Sequence, residues 1–154
     1  MTIDKIQIFD GAQGTVLADA RDPEHKHQGV AALNITNPAR VQQMHRDYLE
    51  AGAQYITCNS FELNPAKWQS KEFTWQQIAD AAIQNARTAV GDRAMVMFDV
   101  STSGQLMEPV GPFTFEQAYD NFRQVAEYTH DRVDGYLLET FSDLYELRAA
   151  ILAI

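Results

Sequence analysis

The sequence predicts an α/β protein of four βα units with parallel strands. Two observations carry this. Four short apolar runs suit strands, at residues 6–9, 55–58, 94–98 and 136–138, and each is followed by a stretch of helical period. The resulting order, βαβαβαβα, implies parallel strands joined by right-handed helical crossovers. Two architectures fit. One is half of a TIM-type (β/α)8 barrel, whose full length is ~250 residues. The other is an open, doubly wound sheet. Periodicity alone does not choose between them.

The elements follow in order. The stretch 9–19, FDGAQGTVLAD, interrupts the first apolar run with an acid, two glycines and a threonine. A strand that stops there leaves Asp10 at its end. Asn37-Pro38 opens the first helix, because Asn suits the N-cap and Pro the first helical position. Its apolar face is Val41, Met44, Tyr48 and Leu49, and Gly52 can end it in the left-handed conformation. The second helix spans 74–90, with a stripe of Trp75, Ile78, Ala79, Ala82, Ile83, Ala86 and Val90 before Gly91. The third begins at Thr114, where Gln117 completes a capping box. Its stripe is Phe115, Ala118, Tyr119, Phe122, Val125, Ala126 and Thr129. The fourth opens at Ser142-Asp143 and is expected to bury Leu144, Leu147, Ile151 and Ile154.

The 154 residues suffice for one domain with its own core, and the whole chain, 1–154, reads as a single βα-repeat domain. A net charge of −9 argues against nucleic acid or an anionic membrane as partner, since both need clustered Lys and Arg. No stretch approaches the ~20 apolar residues of a membrane helix, and the N-terminus lacks a signal-peptide pattern. The single cysteine, Cys58, rules out a disulfide within the chain. A reducing compartment, the cytoplasm, is the expectation.

The residues after each strand are the chemical signal. They are Asp10-Gly11-Ala12-Gln13-Gly14-Thr15, then Asn59-Ser60-Phe61, then Asp99 with Ser101 to Gly104, then Glu139-Thr140. In a parallel sheet these ends lie on one face, so Asp10, Asn59, Asp99 and Glu139 should approach one another. Carboxylates there could hold an ammonium group or a cation, and Gly11 and Gly14 let backbone N–H groups approach a ligand carboxylate. Together they suggest a site for a zwitterion such as an amino acid. The competing reading is that Asp10 and Glu139 only cap loops or helices.

Four collinear segments resemble the homocysteine S-methyltransferase domain family, found at the start of cobalamin-dependent methionine synthase and in betaine–homocysteine methyltransferase. They are FDGAQGT at 9–15, LNITNPARVQQMHRDYLEAGAQYITCNSF at 33–61, GQLMEPVGPFTFEQAYDNFRQVAE at 104–127 and GYLLETFSDLYELRAA at 135–150. The resemblance implies a (β/α)8 barrel in which zinc turns the homocysteine thiol into the thiolate nucleophile. By position it implies that Asp10 and Glu139 meet the amino end of homocysteine. Gly11, Ala12, Asn59, Ser60 and Thr140 would line the same pocket. It names no methyl donor, since methylfolate through cobalamin, betaine and S-methylmethionine all serve relatives.

The departures shape the expectation. The family's zinc cysteines follow its sixth and eighth strands and have no counterpart here, and Cys58 matches none of them. Cys58 reads as a small buried hydrophobe. No catalytic residue is therefore assigned, and this chain alone is expected to bind no cofactor. Phe98 stands where the family has a glycine needed for ligand or backbone space, and Gln13 replaces an apolar residue. His25-x-His27 reads as a solvated loop, and His45 and His130 as helix surface or interface. Half a barrel leaves open strand edges and an uncovered interior. Closure by a second copy is expected, with a complementary half-barrel as the other solution. The function implied is a homocysteine methyltransferase half-barrel that is inactive alone. The alternative is a non-catalytic binding or structural module that assembles as an oligomer.

Overall fold

The computed structural model describes residues 6–20 and 29–154. The His25-x-His27 pair lies outside the described residues. Three parallel strands form one sheet in chain order: β1 (Tyr55–Thr57), β2 (Met95–Val100) and β3 (Gly135–Leu138). The expected first strand is reduced to a single parallel bridge, Phe9 to Tyr55. The backbone still runs beside β1: Gln54 N donates to Ile8 O at 2.8 Å and Asp10 N to Tyr55 O at 2.9 Å. It lies at the outer edge, where Ile6 is 86% exposed and no neighbour covers it among the described residues. The Phe9 ring stacks on Tyr55 with centroids 4.6 Å apart.

Two one-turn helices, α1 (Gly14–Leu17) and α2 (Leu33–Thr36), precede α3 (Pro38–Glu50). Asn37 caps α3 by accepting from Arg40 N, and Pro38 fills the first position. Gly52, with φ 104°, turns the chain away from it. α4 (Trp75–Val90) and α5 (Phe115–Thr129) both begin with a full capping box, Thr74–Gln77 and Thr114–Gln117. α6 (Leu144–Ala153) is capped by Asp143, which accepts from Tyr145 N and Glu146 N.

The core lies between the sheet and these helices. Ile56, Val96, Phe98 and Val100 pack against Ile78, Ala82 and Ala86 of α4, Ala118, Phe122 and Val125 of α5, and Ala149 and Ala150 of α6. A smaller cluster, Leu17, Leu33, Val41 and Met44, fastens α1 and α2 to α3. His45 on α3 is fully buried, and neither ring nitrogen has a hydrogen-bond partner.

The fourth helix buries a different face from the one expected. Leu144 is 81% exposed, Ile151 58% and Ile154 43%, whereas Glu146, Ala149 and Ala150 are buried. α6 is apolar on nearly every side, so periodicity alone does not orient it. The close approach of α5 selects the alanines. Glu146 turns inward because it accepts from Ser103 N at 2.7 Å and from Ser103 Oγ at 2.5 Å. It ties α6 to the loop after β2.

Candidate functional site

Strand register decides which side chains share a face. Thr57 pairs with Met97, Asp99 with Leu137 and Val100 with Leu138. Side chains alternate along each strand. Thr57, Met97, Asp99 and Leu137 therefore stand on one face, and Glu139, two residues beyond Leu137, continues the row. Ile56, Val96, Phe98 and Val100 stand on the helix side. Phe98 is fully buried there, edge-on to Tyr136 at 6.4 Å between centroids. The large residue expected to crowd the ligand space fills the core instead.

The opposite face opens on a cavity of about 510 Å³. Asp10, Gly11, Ala12 and Gln13 wall one side, with Thr57 and Asn59 between them and Asp99, Leu137 and Glu139. Phe61 and Glu62 reach in from the loop after β1. A larger hollow, about 600 Å³, runs along that loop past Lys67, Trp68 and Lys71. It shares Glu62 but none of the strand-end carboxylates, so the smaller cavity is the candidate site.

Asp10 is held firmly. Its carboxylate accepts from Thr57 N at 2.9 Å, from Thr57 Oγ1 at 2.9 Å and from Gln13 Nε2 at 3.3 Å. Gln13 also donates to Thr57 O at 2.6 Å, so the residue that departs from the family pattern latches Asp10 to β1. Burial pushes the Asp10 carboxyl up to about 6, with the Thr57 and Gln13 bonds opposing the shift. An acid whose folded pKa is raised contributes stability that is complete below its unfolded value of 3.8 and disappears as pH rises through about 6. His45 acts oppositely. Burial lowers it to about 4, so its contribution is lost as pH falls from 6.5 toward 4. The expected result is therefore a difference: Asp10→Asn gains stability relative to wild type as pH rises from 4 to 6. Urea denaturation at stepped pH measures it, and parallel curves would contradict it.

Asp99 is 6% exposed, and its Oδ1 has no hydrogen-bond partner. Burial first, then the adjacent Glu139 carboxyl, holds Asp99 well above the ordinary carboxylate range, with Lys67 pulling the other way. Lys67 Nζ lies 3.0 Å from Ser101 Oγ and 4.7 Å from the Phe61 ring centroid.

Five of the seven residues expected in the pocket line this cavity: Asp10, Gly11, Ala12, Asn59 and Glu139. Asn59 donates to Val30 O at 2.8 Å, pinning the segment before α2. A Cβ at Gly11 would sit 3.1 Å from the Tyr48 hydroxyl, which itself donates to Ala12 O. Ser60 and Thr140 do not line it. Ser60 is fully buried, donating to Asp99 O at 2.9 Å and accepting from Asp99 N at 3.0 Å, so it joins β1 to β2. Thr140 is exposed with φ 57°, a turn residue beside Glu139. Thr57 and Glu62 are lining residues that the strand-end reading did not name. The alternation of Thr57 with the buried Ile56 is the signal for the first.

Cys58 is fully buried, and burial pushes its thiol far up, away from the thiolate a metal needs. Among the described residues no group of three His, Cys, Asp or Glu is arranged to hold a metal ion. Among them, too, no helix is long and apolar enough to cross a membrane.

Comparison with known proteins agrees with this architecture. The model of the homocysteine S-methyltransferase family matches residues 7–154. Methionine synthase of Mycobacterium leprae is 26% identical over 161 residues, covering 96% of this chain and 13% of that protein. Homocysteine S-methyltransferase 3 of Zea mays is 25% identical over 152 residues, covering 95% and 44%. The metallated form of the homocysteine methyltransferase MmuM from Escherichia coli superposes with a TM-score of 0.75 at 19% identity, covering 97% of this chain and 59% of that one. This likeness makes the open parallel sheet similar to part of that enzyme's barrel. The chain spans less than half the length of the two sequence relatives.

Proposed function

Because the chain belongs to the homocysteine S-methyltransferase family, we propose that its strand-end cavity binds homocysteine, or a similar amino acid, as one half of a methyl-transferring barrel. The observation that carries this reading is the convergence of Asp10 and Glu139 with the Gly11-Ala12 backbone on one cavity. Asp10 and Glu139 accept hydrogen bonds from the ligand ammonium. The Gly11 and Ala12 backbone faces its carboxylate, and Asn59 shapes the wall. Ser60 and Thr140 act from behind it, through Asp99 and the turn at Glu139.

Calorimetry with L-homocysteine and with 4-mercaptobutanoate, which lacks the amino group, tests the reading. An ammonium bonded to charged acceptors contributes about 1.5–3 kcal/mol. L-Homocysteine should therefore bind at least about tenfold more tightly, and equal affinity would contradict the assignment.

The donor set does not fit zinc. The one thiol is buried and held protonated, and no described cluster surrounds it. This half is therefore proposed to bind the amino acid but not to transfer methyl groups unaided. The same mismatch favours the second reading, a non-catalytic binding or structural module. For a purely structural module, Asp10→Ala and Glu139→Ala would leave ligand affinity unchanged. The lone reduced cysteine supports a cytoplasmic setting.

We further propose that a second copy covers the open side, with a complementary half-barrel as the other candidate. The support is the exposed apolar side of α6, including Leu144 and Leu152, and the outer edge of β3, which pairs only with β2 among described strands. Light scattering should give about twice 17.4 kDa, and Ile151→Lys should shift the mass toward one chain. A monomeric wild type would contradict self-association.

A further inference from the structure

The homocysteine reading needs only Asp10 and Glu139, yet Asp99 is the most buried acid lining that cavity, and its Oδ1 is buried without a hydrogen-bond partner. Its backbone is clamped on both sides by Ser60, which fixes its Cα at this strand position. Register sets it one strand over from Glu139 on the same face. The other charged groups around it are Asp10 from the first segment, and Glu62 and Lys67 from the loop after β1. Lys67 is engaged by Ser101 and the Phe61 ring. A buried carboxyl beside a second acid keeps its proton, because burial and a neighbouring like charge both disfavour the ionised form.

We infer that Asp99 is a further ligand-contacting residue: Asp99 holds a proton beside Glu139 in the free protein, and the ammonium group of an amino-acid ligand takes that proton's place. This deepens the amino-acid reading and rests on it. On binding, ligand N–H groups donate to both carboxylates, the O–H bond within the pair breaks, and the proton leaves to solvent. The pair goes from one negative charge to two, and the ligand's positive charge offsets the second. Burial and the neighbouring Glu139 carboxyl both favour the protonated form of Asp99, which agrees with this exchange.

Titration calorimetry of L-homocysteine in phosphate and in Tris, whose ionisation heats differ, reads proton release directly. Wild type should release about one proton per ligand near pH 7, and its affinity should tighten by up to about tenfold per pH unit between about 6.5 and 7.5. That window lies above the Asp10 titration and below that of Asp99. Asp99→Asn should bind more weakly and release no proton. A release that persists in Asp99→Asn does not come from Asp99 and overturns the proposal. Should that variant not fold, wild type with L-methionine, which has no thiol proton, decides by the same criterion. Binding without proton release overturns the exchange and leaves the amino-acid reading intact, whereas no binding of L-homocysteine overturns both.

Discussion

Phe98→Ala is expected to remove about 3–5 kcal/mol of stability, the cost of truncating a fully buried aromatic ring. Against a total of about 5–15 kcal/mol for a domain of ordinary stability, that leaves a marginal protein. The ring lies between the sheet and the helices, in the cluster with Ile78, Ala82 and Phe122, and meets Tyr136 edge-on. Deleting it opens a void that these neighbours can close only in part. Urea denaturation gives the loss. The milder Phe98→Leu, which folds more readily, should bind L-homocysteine as wild type does, since position 98 faces away from the cavity. A loss below about 1 kcal/mol in Phe98→Ala, or a changed affinity in Phe98→Leu, would contradict the register on which the site is built.

Glu139→Gln should weaken L-homocysteine binding by about 10–100-fold, the equivalent of one lost charge-assisted hydrogen bond. The substitution keeps the side chain's size and leaves the backbone bond from Glu139 N to Val100 O in place. The fold should therefore be unchanged, with the effect confined to affinity. The ammonium would then face an amide in place of a carboxylate, with Asp10 and Asp99 as the remaining acids. Calorimetry measures it, and an affinity within twofold of wild type would remove Glu139 from the site.

Much of this architecture was legible because its signals are local. Asn37-Pro38, Thr74 and Thr114 mark helix starts through hydrogen bonds to residues three positions on, and each cap is present. Glu139 and Asp10 could be placed together because parallel strands bring their carboxyl ends to one face, and both line one cavity. Features set by neighbours distant in sequence were not legible. Phe98 looked like an obstruction because the family pattern records a residue type and not its side of the sheet. Leu144 and Ile151 read as core because α6 is apolar on nearly every side, and its packing against α5 with the Glu146–Ser103 bonds decides which side is buried. Ser60 looked like a pocket residue because it follows β1, yet its hydroxyl is consumed by the Asp99 backbone. The first segment fell short of a strand because its outer edge has no partner among the described residues. Gln13 read as a departure from the family pattern, and in three dimensions it is the donor that fixes Asp10 against Thr57.

A crystal structure of the protein grown with L-homocysteine tests the central assignment most directly. The ligand nitrogen should lie about 2.7–3.2 Å from carboxylate oxygens of both Asp10 and Glu139, with the ligand carboxylate over the Gly11-Ala12 backbone. A ligand bound elsewhere, or one whose amino group points to solvent, would contradict it.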